Sequence, residues 1–293
     1  MLSILIPTYN YNAFPLAQRI EKQALELNIE YEIICIDDAS RGYYDENLKI
    51  NELKHGRFDI NVENLGSILN RKKLAEEAKF DWLLFIDADT YPKHSNFLKT
   101  YLKYLHGTNP IIFGGFAYDN IDYNSSFSLR YYFGKEREEV SSVKRNKHAY
   151  KITISANFLC QKFTFLQLMK NISFNNYGLD YLFGALLKEN NIKVYHIDNE
   201  VFHKGLDQNK TYLKKIHNSL RTLKKLQNNN LITENDISLL KVYKSIEKIG
   251  LLSVVNVIYT LSKKHLKKHL LLSKKPNMIL LSFYKLGFYS NLK

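Results

Sequence analysis

Four short apolar runs punctuate the first part of the chain: SILI (Ser3 to Ile6), EIICI (Glu32 to Ile36), WLLFI (Trp82 to Ile86) and IIF (Ile111 to Phe113). Each is too short for a helix and lacks polar alternation, the pattern of a strand buried on both faces. Between them, Phe14 to Leu27, Ser67 to Ala78 and Ser95 to Leu105 repeat apolar residues at helical intervals. Strands and helices in alternation predict an α/β fold, a mostly parallel sheet flanked by helices.

The residues just after each run matter as much. SILI leads into Pro7-Thr8-Tyr9-Asn10, EIICI into Asp37-Asp38, WLLFI into Asp87-Ala88-Asp89, and IIF into Gly114-Gly115. Ligands of open parallel sheets bind beyond the carboxyl ends of the strands, so the chemistry-bearing residues should gather at one edge. In LLFIDADTY, an extended chain would place Asp87 and Asp89 on the same face. At roughly 5 Å and an effective dielectric of about 20 their charges repel by about 3 kcal/mol. A solvated turn or a divalent cation carrying a phosphate would each relieve that repulsion. The convergence of unusual residues at one edge favours the cation.

The chain of 293 residues suffices for one large domain with an appendage or for two modest ones. Its net charge of +13 is uneven: from Lys204 onward 18 basic residues face 4 acidic ones, so the remainder is close to neutral. We therefore expect a body over residues 1–205 and a basic helical extension over residues 206–293. Cys35 and Cys160 sit in apolar runs without metal-ligand spacing, which reads as buried thiols of a reducing compartment. Residues 1–10 lack the basic start and long apolar core of a signal peptide. A cytoplasmic location is expected, peripheral on the inner face of the cell membrane if the basic tail binds lipid.

Leu129 to Lys151 is dense in charge and reads as a surface excursion, either a lid or a solvated loop. ITISANFLC reads as a strand and Leu179 to Lys188 as a helix, and Val194 to Gly205 closes the body. After Asp207 the pattern is helical, with Tyr212, Leu213, Ile216, Leu220 and Leu223 on one face. Thr233 and Asp236 have the spacing of a capping box for a helix reaching Gly250. The longest apolar stretch, Leu251 to Leu261, is too short to span a bilayer.

Taken together, these segments resemble the family 2 glycosyltransferases, nucleotide-sugar-dependent enzymes of GT-A fold, over roughly residues 1–205. SILIPTYNY is similar to the family's opening strand and uridine-contacting turn, which implies donor roles for Pro7 and Tyr9. ICIDDAS resembles its acidic pair, with Asp38 at the place that meets uracil. ENLGSILNRKKLAEEAKFDWLLFIDADT is similar to the segment that carries an Asn-x-Gly turn, an Arg and a D-x-D, which gives Asn64, Gly66, Arg71 and Asp87 donor roles and Asp89 a metal role. The later part resembles a branch whose second half is like that of galactosyltransferases. There Gly114-Gly115 corresponds to an acceptor-side Gly-Gly, YGLDYLFG to a glycine with an acidic pair, and His203 to a metal ligand. Leu179 departs from the pattern, which has Glu before Asp, and the spacing is one residue short. The resemblance implies Asp180 as catalytic base.

Glycosyl transfer needs a stabilised diphosphate leaving group, a deprotonated acceptor hydroxyl and alignment of the two. A divalent cation on Asp89 and His203 would serve the first, and an imidazole ligand favours Mn2+ slightly over Mg2+. Asp87 would lie nearer the ribose, Arg71 would face the diphosphate, and Asp180 would take the acceptor proton. The implied partners are a nucleotide-sugar donor, a UDP-sugar by resemblance, and a glycan or lipid-linked acceptor. Direct attack gives inversion at the anomeric carbon. Two rival readings fit parts of the same sequence. FIDADTY also matches the D-x-D-x-T signature of haloacid-dehalogenase-type phosphatases, with Asp87 as nucleophile. The basic tail could also belong to a non-enzymatic nucleic-acid or membrane binder. Its lysines come with interleaved apolar residues and no recognition motif, which suits an anionic membrane surface better than nucleic acid.

Overall fold

A computed structural model describes residues 1–120, 124–172, 180–233 and 237–292, and the backbone alone of Asp180. Leu179 and Asp236 lie outside the described residues. The chain opens with β1 (Leu2–Thr8), α1 (Phe14–Glu26), β2 (Tyr31–Asp37), α2 (Tyr44–Leu48) and β3 (Gly56–Ile60). It continues through α3 (Ser67–Glu77), β4 (Trp82–Ile86), β5 (Thr90–Pro92), α4 (Phe97–Leu102), β6 (Ile111–Phe113) and β7 (Phe116–Ala117). Next come α5 (Ser128–Phe133), α6 (Ser142–Asn146), β8 (Asn157–Gln161), α7 (Lys162–Met169), α8 (Asp180–Glu189), β9 (Val194–His196) and β10 (Val201–His203). Four helices end the chain: α9 (Asn209–Asn228), α10 (Ser238–Lys248), α11 (Leu252–Leu272) and α12 (Met278–Ser290).

The chain divides into two compact units. The first comprises Met1–Ala117, Val140–Asn175 and Leu187–Gly205, and the second Tyr118–Glu139, Asn176–Leu186 and Leu206–Lys293. Both sheets belong to the first unit. Its main sheet has the strand order β3-β2-β1-β4-β8-β6-β9. β1 pairs in parallel with β2 and β4, β2 with β3, and β6 with β9, while β8 runs antiparallel between β4 and β6. Residues 2 to 6 of β1 are buried to both sides: Leu2, Ile4 and Ile6 join a core with Leu16, Ala17 and Ile20 of α1, and Leu5 is equally inaccessible. That two-sided burial is why the run carries no polar alternation.

The apolar runs all become strands, but four strands have no comparable signal. β3 is an edge strand whose Arg57 and Asp59 face water, so its sequence alternates too weakly to be noticed. β5, β7 and β10 are three residues or fewer and form a small second sheet in the order β5-β10-β7. ITISANFLC is a strand only from Asn157 onward.

The segment 129–151 is mostly exposed or half-exposed, as a surface excursion is, but it contains α5, a π-helical turn at Gly134–Glu138 and α6 and not an irregular loop. In the first unit it buries Arg145 completely. That guanidinium donates to the carbonyls of Val140 (2.8 Å) and Ile197 (2.7 Å) and meets His196 Nδ1 at 3.1 Å. A buried charge persists where its N–H groups are this well matched, a matching invisible in a charge-dense sequence.

In the second unit α9 buries the face its periodicity predicts, from Tyr212 and Leu213 through Leu226. Helix α12 closes on α11 where Gly287 meets the Tyr259 ring, which a Cβ would approach to 2.3 Å. Among the described residues no single helix is long and apolar enough to cross a membrane.

Candidate active site

Strands β1, β2 and β4 run in parallel, so their carboxyl ends open on one edge of the sheet. Pro7 lies in β1 opposite Ile36, and Tyr9, just past the strand, is 57% exposed. The loops after β1 and β2 are tied together. Ser40 Oγ accepts from the Asn10 amide (2.6 Å), Asn10 Oδ1 accepts from the Arg41 amide (3.0 Å), and the Asp38 amide donates to the Thr8 carbonyl (2.8 Å). The exposed phenol thus stands on a braced turn.

Asp38 itself is 3% exposed. Its Oδ1 accepts from Asn61 Nδ2 (2.9 Å) and the Leu65 amide (2.8 Å), and its Oδ2 accepts from the Gly66 amide (2.7 Å). Asn64 Nδ2 donates to the Asp38 carbonyl at 3.0 Å. Gly66, at φ +80°, takes a left-handed conformation at the start of α3 that other residues rarely adopt. Asp38, Asn64 and Gly66 therefore meet as a single construction, the anchored turn that launches α3.

Arg71 on α3 is buried. Its Nη1 donates to the Ser67 carbonyl at 3.1 Å and its Nη2 to Asp87 Oδ1. The guanidinium, expected to face a diphosphate, is directed at Asp87 in this structure. Two largely desolvated charges of opposite sign hold each other, and removing one strands the other.

The D-x-D is a turn and not an extended strand, with the Thr90 amide and hydroxyl donating to the Asp87 carbonyl at 3.0 and 2.7 Å. The two acids consequently have different partners. Asp87 turns to Arg71, whereas Asp89 Oδ2 lies 3.1 Å from His203 Nε2. Pairing of β5 with β10 sets His203 opposite Thr90, and this brings residues 114 positions apart into contact. The Asp89 side chain is 31% exposed and that of His203 12%. The expected mutual repulsion is relieved by two separate neighbours.

Gly205 also closes on this pair. Its amide and that of Lys204 donate to the Asp89 carbonyl (3.3 and 2.8 Å), and a Cβ on Gly205 would stand 2.5 Å from Asp89 Oδ2. Tyr11 reaches the same region, where burial first, and then the charges of Asp89 and Tyr43, raise its phenol above the usual range. Sequence reasoning singles out neither residue. The second tyrosine of SILIPTYNY is the only available signal for Tyr11, and Gly205 has none.

Gly114 and Gly115, expected on the acceptor side, are buried. A Cβ on Gly114 would meet Tyr101 Oη at 2.2 Å and Asn157 Nδ2 at 2.5 Å, and Gly115 sits at φ +104° against Arg145. Their carbonyls accept from the Asn199 and Val201 amides (2.9 and 3.2 Å). Close packing between strands is what requires glycine here. Asp180 begins α8, and its side chain lies outside the described residues. Asp198 accepts from the Ser142 amide and hydroxyl (2.7 and 2.8 Å) and so caps α6.

Asp89 and His203 supply one oxygen and one nitrogen donor that are adjacent and partly open. That set fits Mn2+ or Mg2+ with its remaining positions left to phosphate oxygens and water. Among the described residues no group of three His, Cys, Asp or Glu converges on one point, so a cation held here would depend on its ligand for further donors.

A mostly parallel sheet whose carboxyl edge carries this aspartate–histidine pair beside a braced aromatic turn defines an α/β enzyme of GT-A type. The model of glycosyl transferase family 2 matches residues 3–171, more than half of the chain, and the chain belongs to that family. Solved structures share the fold at low identity. TarS of S. aureus is 16% identical with a TM-score of 0.50, over 75% of this chain and 39% of TarS, so the chain spans well under half of that protein. Mannosyl-3-phosphoglycerate synthase from Rubrobacter xylanophilus is 14% identical with a TM-score of 0.51, over 80% of this chain and 76% of the synthase. The mannosyltransferase PcManGT from Pyrobaculum calidifontis, solved with GDP-Man and Mn2+, is 11% identical with a TM-score of 0.51, over 78% and 64% of the two chains. No curated protein sequence matches the chain. The phosphatase alternative does not survive, because the family is a transferase family and Asp87 is held by Arg71.

Proposed function

We propose that the protein is an inverting, metal-dependent hexosyltransferase that moves a sugar from a nucleotide-diphosphate donor, a UDP-sugar, to a hydroxyl of a glycan or lipid-linked acceptor in the cytoplasm or at the inner face of the cell membrane. The observation that carries this reading is the meeting of Asp89 and His203 at 3.1 Å beside the carboxyl ends of the parallel strands. Tyr9 offers an exposed ring for the base, on the turn that begins at Pro7. The turn built by Asp38, Asn64 and Gly66 shapes the floor beneath it. Asp87, oriented by Arg71, would lie nearer the ribose. Asp89 and His203 would hold the cation, which when bound stabilises negative charge on the departing diphosphate.

In the transfer itself the acceptor oxygen attacks the anomeric carbon, the bond from that carbon to the diphosphate oxygen breaks, and Asp180 takes the hydroxyl proton. One displacement without a covalent enzyme intermediate inverts the anomeric centre. The support for UDP is resemblance of the opening turn to the family's uridine-contacting segment.

Titration calorimetry with UDP tests the reading. Wild-type protein should bind UDP with Mn2+ and bind it at least tenfold more weakly with EDTA, and Asp89→Ala should bind equally weakly in both. Equal affinity of the wild type with Mn2+ and with EDTA would remove the metal from the proposal.

A further inference from the structure

Helix α11 buries one face in the second unit, through Tyr259, Leu266 and Leu270, and leaves a second apolar face uncovered. Val254, Val257, Ile258 and Leu261 are each at least half exposed, Leu261 at 76%, and the corner before the helix adds Ile249 at 66% and Leu251 at 46%. At 3.6 residues per turn, Leu251 to Leu261 fall within a roughly 120° arc, a continuous stripe and not scattered surface residues. The corner is a sharp one. Gly250 takes φ +73°, and α10 and α11 diverge there by 118°. Among the described residues no single helix is long and apolar enough to cross a membrane, while an apolar edge nearly three turns long ends in an exposed apolar tip.

Charge identifies what covers this face. Helix α11 carries Lys263, Lys264, Lys267 and Lys268 and no acidic residue, and Lys274 and Lys275 come directly after it. Lys264 and Lys268 continue the same exposed arc one and two turns past Leu261, where their stems can lie along an apolar phase while the ammonium groups reach anions. A second copy of the chain offers this surface no anion, because α11 carries no acidic residue of its own. An anionic bilayer meets both halves, with acyl chains for the stripe and phosphates for the lysines.

We propose that the uncovered face of α11, with the Ile249–Leu251 corner, lies in the interface of an anionic phospholipid membrane, parallel to its plane. The attachment is peripheral: apolar residues enter the boundary between headgroups and acyl chains, and the lysines bind lipid phosphates. It is independent of the chemistry proposed above, since none of these residues belongs to the candidate active site.

Co-sedimentation of the full chain with vesicles tests the surface. The wild type should bind vesicles of mixed phosphatidylglycerol and phosphatidylcholine at least tenfold better than pure phosphatidylcholine, and salt should weaken that binding. The double variant Val257→Asp/Leu261→Asp alters only exposed side chains, so it should keep its fold and its Mn2+-dependent UDP affinity and lose vesicle binding at least tenfold. Lys264→Glu/Lys268→Glu should lose binding with a flatter salt dependence. Unimpaired binding by the aspartate variant, or no wild-type binding at low salt, overturns the proposal. So does a dimer seen by sedimentation velocity that the aspartate variant abolishes, if vesicles do not bind.

Discussion

Substituting Gly205 by alanine should separate the position of the Asp89 carboxylate from its presence. The added methyl carbon would stand 2.5 Å from Asp89 Oδ2, 2.9 Å from Cγ and 2.7 Å from Cβ, where ordinary contact begins at 3.4 Å. Oδ2 must therefore retreat by about 0.9 Å, and because Cβ is crowded too, rotation of the carboxylate alone cannot clear the clash. The backbone at Gly205 is not in the left-handed region, so alanine is locally permitted and the fold should survive. Misplacement of a catalytic group by about 1 Å costs up to about 10²-fold. We expect Mn2+-dependent UDP affinity to fall by about 10- to 100-fold in Gly205→Ala, while affinity in EDTA and the thermal midpoint change little. Calorimetry and differential scanning fluorimetry on the same preparations measure both. An unchanged Mn2+-dependent affinity in a folded Gly205→Ala protein would refute the argument that Asp89 acts from its observed position.

Two further expectations concern proton transfer and acid stability. Asp180→Asn should leave UDP binding intact and slow single-turnover transfer to an identified acceptor by about 10² to 10⁴; near-wild-type rates would move the base elsewhere. Burial first, and then the charge of Arg145 beside Nδ1, push His196 down from 6.5 to about 4, against the raising effect of the Ala149 carbonyl that Nε2 meets at 2.8 Å. The unfolded chain takes up the proton first, so this contribution to stability is complete above pH 6.5 and is lost as pH falls through 6.5 toward 4, by about 3 kcal/mol at most. Urea unfolding at pH 7 and pH 5 should show a smaller pH-dependent loss for His196→Gln than for wild type, and identical losses would remove His196 from the account.

The readability of this sequence tracks burial. Strands buried on both faces, such as Leu2–Thr8 and Trp82–Ile86, announce themselves as unbroken apolar runs, and the acids and aromatics at their ends mark the functional edge in the sequence itself. β3 does not, because an edge strand keeps one side wet. The site divides in the same way. Asp87, Asp89 and Asp38 are legible from their place at strand ends, yet which group each carboxylate touches depends on α3 and on a pairing between residues 90 and 203, and no local pattern encodes that distance. Gly114-Gly115 is recognisable as unusual but not as packing, since the groups that crowd it come from Tyr101, Asn157, Arg145 and Asn199. Arg145 is hidden by its company. Among the charges of Leu129 to Lys151 nothing marks one guanidinium as interior.

That interior guanidinium also has a meaning for the order in which the chain assembles. The carbonyls of Phe113, Gly114 and Ile197 all point toward Arg145, as does that of Val140 from its own segment. The Phe113 and Gly114 carbonyls also accept from the Ile197 and Asn199 amides, so the close guanidinium contacts are those to the carbonyls of Val140 and Ile197. The seam between β6 and β9 joins segments more than 80 residues apart in sequence, with Arg145 supplied from the stretch between them. A pairing this distant in sequence must close a long loop before arginine burial can reward it, so this corner of the sheet is expected to form late on the folding path.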